Sequence, residues 1–167
     1  KIINMINRYP DSKCKRLKET INSYLSKSFI GLENIMIGNG SNEILEFIAR
    51  CYLNEKSEVL FCRHSFLVYK IISGNMNAKI IESNPIKNPG LNYLSIDLDD
   101  MKSRITSKTK VIFIANPSNP TGTALKMRDI DKFISSIPKR IIVVIDEAYY
   151  EYSLYQGLKS AINLLKK

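Results

Sequence analysis

Apolar positions recur along this chain in two rhythms. Leu17, Ile21, Tyr24 and Leu25 fall on one face of a helix if Ser12 to Ser26 is helical. Ile44, Leu45, Ile48, Ala49 and Tyr52 repeat that spacing after the short apolar stretch Ile35-Met36-Ile37 and the glycine turn Gly38-Asn39-Gly40. Ser65 to Met76, Asp97 to Ile105 and Met127 to Ile137 predict three more helices, and the second of these has an acidic start and a basic end that suit the helix dipole. The other rhythm is continuous. Glu58 to Cys62, Lys79 to Glu82, Val111 to Ala115 and Ile141 to Ile145 are short runs, largely apolar, that predict strands. Pro85 to Asn92 and Asn116 to Gly122 carry paired prolines with glycine and predict loops. Strands that are apolar throughout and alternate with helices belong to a parallel sheet covered on both faces. The expected fold is therefore α/β, a three-layer sandwich with a mainly parallel sheet.

The 167 residues are enough for one buried core, and no apolar run approaches the ~20 residues of a membrane helix. No charged-then-apolar leader is present, so a cytoplasmic protein is expected, although the first residue is Lys1 rather than methionine. Cys14, Cys51 and Cys62 form no C-x-x-C pair, which leaves neither a disulfide framework nor a metal site to expect. The net charge of +9 comes from scattered lysines without interleaved aromatics. That pattern argues against nucleic acid and suits an anionic cofactor or substrate.

In parallel sheets, ligands bind beyond the carboxyl ends of the strands, and three motifs fall there. Gly38-Asn39-Gly40-Ser41-Asn42-Glu43 opens a helix whose first amides are free either to hold a phosphate or only to be capped. It is not a P-loop, because no G-x-x-x-x-G-K-[ST] occurs. Asp146-Glu147 follows an apolar strand. Such an acid serves a magnesium–nucleotide site, a protonated ring nitrogen or a helix cap, and the missing P-loop counts against the first. Asn116-Pro117-Ser118-Asn119-Pro120-Thr121-Gly122 reads as a rigid turn with two Asn-Pro steps. His64, the single histidine, reads as a loop or capping residue.

In this order, Asn7-Arg8-Tyr9-Pro10-Asp11, Gly38 to Glu43, His64-Ser65-Phe66-Leu67-Val68-Tyr69, Asn119-Pro120-Thr121-Gly122 and Asp146-Glu147-Ala148-Tyr149 resemble the fold-type-I pyridoxal-phosphate aminotransferases of class I and II, most closely their histidinol-phosphate branch. The resemblance spans Asn7 to about Tyr152. It implies that Gly40, Ser41 and Asn42 present amides to the cofactor phosphate and that Phe66 stacks on the pyridine ring. It gives Asn119 and Tyr149 the ring's phenolic oxygen, Asp146 the pyridinium nitrogen, and Tyr9 the phosphate in a second subunit of a homodimer. It also implies a cis Asn119–Pro120 bond. The small-molecule partners would be an amino donor and a keto acid, with histidinol phosphate and 2-oxoglutarate the leading pair in histidine biosynthesis.

Two departures accompany it. Asn42 stands where the family often has an acid. The resemblance also places the Schiff-base lysine beyond Lys167, while Lys159, Lys166 and Lys167 read as a surface helix without the family's serine–lysine setting. Residues 1–30 are expected as an N-terminal segment and helix, and residues 31–167 as an incomplete cofactor-binding large domain without the C-terminal small domain. A chain of this extent is expected to be inactive alone and prone to aggregate. Two alternatives share the motifs. One is another class I/II enzyme, such as an amino-acid aminotransferase or a threonine-phosphate decarboxylase. The other is a non-catalytic remnant or interaction fragment.

Overall fold

The structure is a computed structural model and describes residues 7–25, 31–90 and 92–166. It divides into two compact units, Lys1–Ile44 and Leu45–Lys167. In the first, α1 spans Lys15–Leu25. The Asp11 carboxylate accepts the Lys13 and Lys15 amides at 3.0 and 2.9 Å, so it supplies the acceptors that the first turn lacks. A single 3-10 turn follows at Leu32–Asn34. Helix α2, Gly40–Tyr52, begins in this unit and runs into the second.

The second unit is built on four strands: β1 (Glu58–Cys62), β2 (Lys79–Ser83), β3 (Thr109–Ala115) and β4 (Ile142–Asp146). Their order is β2-β1-β3-β4, and every pairing is parallel. Parallel neighbours need crossovers. Here these run through α3 (Leu67–Asn75), α4 (Leu98–Ser103) and α5 (Met127–Ser135). Side chains alternate between the two faces with the period of a strand. Val59, Phe61, Val111, Phe113 and Ala115 join Leu45, Ala49, Tyr69 and Ile72 of α2 and α3 in one core. Leu60, Cys62, Ile112 and Ile114 join Met101 of α4 and Phe133 of α5 in the other. Two cores on one sheet make the expected three layers.

The amino ends of the strands are tied by polar groups around the buried Glu58 and Thr109. Glu58, with a side chain only 4% exposed, is bonded by Lys79 Nζ at 3.0 Å and by the Thr106 hydroxyl at 2.5 Å. The Arg140 guanidinium donates to the Thr109 and Thr106 carbonyls at 3.0 and 2.9 Å. The loops after β3 and β4 leave from the opposite, carboxyl ends.

Element boundaries shift by a few residues at several places, and three of these bear on the site. Helix α3 starts at Leu67 rather than Ser65, because Phe66 keeps an extended ψ of 122°. Strand β4 takes in Asp146, which lies in register with Ala115 of β3. The helix expected around Lys159 is corrected: Lys159 lies in coil, Ala161–Lys166 forms a 3-10 helix, and Lys167 lies outside the described residues.

Candidate functional site

Asp146 is placed by the sheet itself, as the last residue of β4. Its carbonyl accepts the Asn116 amide at 2.9 Å, which continues the β3–β4 ladder by one bond. Its carboxylate Oδ1 accepts the Ala148 amide at 3.1 Å, and Oδ2 accepts the Tyr69 hydroxyl at 2.8 Å. Both donors are neutral. Neither bond therefore brings a positive charge to the half-buried carboxylate, which has further acceptor positions beyond the two used.

Tyr69 is fully buried in the core beside β3. Its ring stacks on Phe113 at 4.8 Å with 7° between the planes, while Phe66 meets it edge-on at 5.9 Å. Both geometries are favoured by aromatic quadrupoles. Burial, with the Asp146 carboxylate next in weight, pushes the Tyr69 phenol far above its ordinary range. It therefore stays a protonated donor through neutral pH. Phe66, Tyr69 and Asp146 thus form one contiguous chain of contacts at the carboxyl end of the sheet.

The loop after β3 is held by Asn116. Its side chain bonds the backbone of Leu125 twice: Oδ1 accepts the amide at 2.7 Å and Nδ2 donates to the carbonyl at 3.2 Å. Gly122 has φ +69°, a conformation that side chains avoid, and its amide reaches the Ser118 carbonyl at 2.8 Å to close the turn. The Asn119–Pro120 bond is cis, as the resemblance implied, and Asn116–Pro117 is cis as well. Asn119 and Tyr149 both line a cavity of about 350 Å³, with Gly122 and Tyr152. Tyr149 is 46% exposed. Glu147 does different work: its carboxylate accepts the Ser160 hydroxyl at 2.6 Å and the Ala161 amide at 2.7 Å, anchoring the last 3-10 helix.

In the first unit, Gly40 starts α2 with φ +73° and has open space where a Cβ would sit. Ser41 is half-buried and Asn42 exposed. The Glu43 carboxylate accepts the Asn39 amide at 2.7 Å, so it caps the helix start one residue before Gly40. Tyr9 is fully exposed and His64 is exposed in the turn after β1.

Of the residues expected to hold a cofactor, Phe66 and Asp146 are linked through Tyr69, and Asn119 and Tyr149 share a cavity. The residue not singled out from sequence is Tyr69. It falls at core spacing on α3, and only its bond to an aspartate 77 residues away distinguishes it from a packing aromatic.

The model of the family described as "Aminotransferase class I and II" matches residues 2–165. Histidinol-phosphate aminotransferase 2 of Pasteurella multocida is 41% identical over 99% of this chain and 43% of its own length. Histidinol-phosphate aminotransferase 1 of Idiomarina loihiensis is 44% identical over 87% of this chain and 37% of its own. The chain therefore spans less than half the length of these relatives. Among solved structures, the histidinol-phosphate aminotransferase of Clostridium acetobutylicum superposes with a TM-score of 0.78 at 27% identity, covering 98% of this chain and 45% of that one. That of Sinorhizobium meliloti, solved in complex with pyridoxal-5'-phosphate, shares the fold with a TM-score of 0.75 at 21% identity, covering 86% of this chain and 37% of that one. With nearly the whole chain matched by the family model, this protein belongs to the aminotransferase class I and II family.

Proposed function

We propose that this chain is the cofactor-holding part of a pyridoxal-phosphate aminotransferase of the histidinol-phosphate type. The observation that carries the reading is Asp146, a carboxylate at the carboxyl end of a parallel strand, fixed by two neutral donors. The residues fit the group. A pyridinium nitrogen supplies the cation, and Gly40 has both the left-handed backbone and the open space that a closely approaching phosphate requires.

In this reading Asp146 would hold the ring nitrogen protonated, since an adjacent negative charge favours the charged form. Phe66 would cover one face of the ring. Asn119 and Tyr149, already on one cavity wall, would donate to the ring oxygen. The amides of Gly40, Ser41 and Asn42 would take the phosphate, joined by the partner subunit's Tyr9 in a homodimer. When bound, the protonated ring supplies an electron sink for charge developing on the substrate carbon. The proton transfer at that carbon needs a lysine outside this chain's matched motifs. The substrates would be histidinol phosphate as amino donor and 2-oxoglutarate as acceptor.

Titration of the chain with pyridoxal phosphate, followed by absorbance, tests the binding. Saturable binding is expected, weakened about tenfold or more by Asp146→Asn, the scale of losing a charge-assisted contact. Binding indifferent to Asp146→Asn contradicts the reading. For the substrates, amino transfer is assayed with a protein extended to the relatives' full length. Preference for histidinol phosphate supports the assignment, and preference for another amino acid moves it to another branch.

A further inference from the structure

We infer that Tyr69 is a positioning residue for the cofactor ring, acting through Asp146, an inference that rests on the function proposed above. Three observations carry it. The Tyr69 hydroxyl donates to Asp146 Oδ2 at 2.8 Å, across 77 residues of sequence. The Tyr69 ring is fully buried and clamped in a stack on Phe113 of β3, so the hydroxyl has little freedom to leave that position. The other oxygen, Oδ1, is held by the Ala148 amide, so the carboxylate is fixed at both ends and cannot rotate without losing a bond.

The consequence is specific. A phenol that stays protonated gives up no charge, so it orients Asp146 without cancelling the anion that a ring nitrogen needs. Tyr69 also lies one helical turn from Phe66, and the two rings touch edge-on at 5.9 Å. The first turn of α3 therefore ties together the residue proposed to cover the ring, Phe66 at its N-cap, and the donor that aims the carboxylate, with the Tyr69 amide bonded to the Phe66 carbonyl at 3.1 Å. A shift of α3 moves the two together, which couples ring stacking to ring-nitrogen recognition.

The test is a cycle between one hydroxyl and one nitrogen. Affinity of the chain is measured for pyridoxal phosphate and for its deaza analogue, in which carbon replaces the ring nitrogen. Tyr69→Phe keeps the buried ring, and its folding is checked by near-ultraviolet circular dichroism. It is expected to weaken pyridoxal phosphate about tenfold, as for loss of a hydrogen bond to a charged group, and to leave the deaza analogue within about twofold. Replacing Tyr69 by para-aminophenylalanine restores a donor and should restore the difference. Equal weakening of both ligands would assign Tyr69 a packing role only and overturn the inference. So would unchanged affinity in Tyr69→Phe while Asp146→Asn still weakens binding. If Asp146→Asn has no effect either, the proposed function itself fails, and the two failures are thereby separated.

Discussion

Single residues in this chain carry distinct loads. Phe113 is fully buried, belongs to the core under α2 and α3, and supplies the surface on which Tyr69 stacks. Phe113→Ala should cost about 3–5 kcal/mol, read from urea denaturation, because it opens a cavity and removes the stack. A loss below about 1 kcal/mol would show that the core closes over the gap. Asp100 carries another kind of load. Arg104 beside it, at 2.6 Å, holds its carboxyl well below the usual aspartate range, helped by Asn84. The folded group therefore titrates lower than the unfolded one. Its contribution is fully present above about pH 4 and is lost as the pH falls further, toward the folded value. The stability of the chain should drop through that window, and Asp100→Asn should flatten the drop. An unchanged acid limb in the variant would contradict the assignment. Asp146 stood out in the sequence because it ends an apolar strand. Tyr69 did not, because a tyrosine at helical spacing among Ile and Leu looks like core. Its chemistry lies in a contact that local pattern does not encode.

At the scale of elements, local chemistry explains which ends are firm. Asp97 caps α4 by accepting the Asp99 and Asp100 amides, both at 3.0 Å. Asp97→Ala should destabilise the chain by about 1 kcal/mol, the usual effect of losing such a cap. The last 3-10 helix depends instead on Glu147, through Ser160 and Ala161. Glu147→Ala should speed hydrogen exchange at Ala161 to Leu165 while the amides of β3 stay protected. Equal protection of the last helix in variant and parent would show that Glu147 is not its anchor. Strands β1, β3 and β4 were legible because they are short and mostly apolar; β1 has the bounds its pattern predicts. Boundaries that depended on backbone geometry were not. The extended ψ at Phe66 delays α3, and the pairing of Asp146 with Ala115 lengthens β4, neither of which hydrophobicity reports.

At the scale of the molecule, the parallel order β2-β1-β3-β4 leaves β4 at one border of the described sheet. Every residue of β4 is only half-buried, whereas all five of β1 are buried. A half-covered apolar edge offers unpaired backbone groups to another chain. The chain should self-associate in a concentration-dependent way in light scattering, and a monodisperse monomer at high concentration would contradict that. The same sheet brings Asp146 and the Asn116 loop side by side through the ladder between β3 and β4, which is why motifs thirty residues apart act at one place. Whether this place receives pyridoxal phosphate is read from amide chemical shifts recorded during a titration with that compound. The amides of Asn119, Ala148 and Tyr149 are expected to shift along one saturating curve, which Asp146→Asn abolishes or strongly weakens. Shifts confined to the amides around Lys159, or no saturable shift at all, would contradict binding at this place.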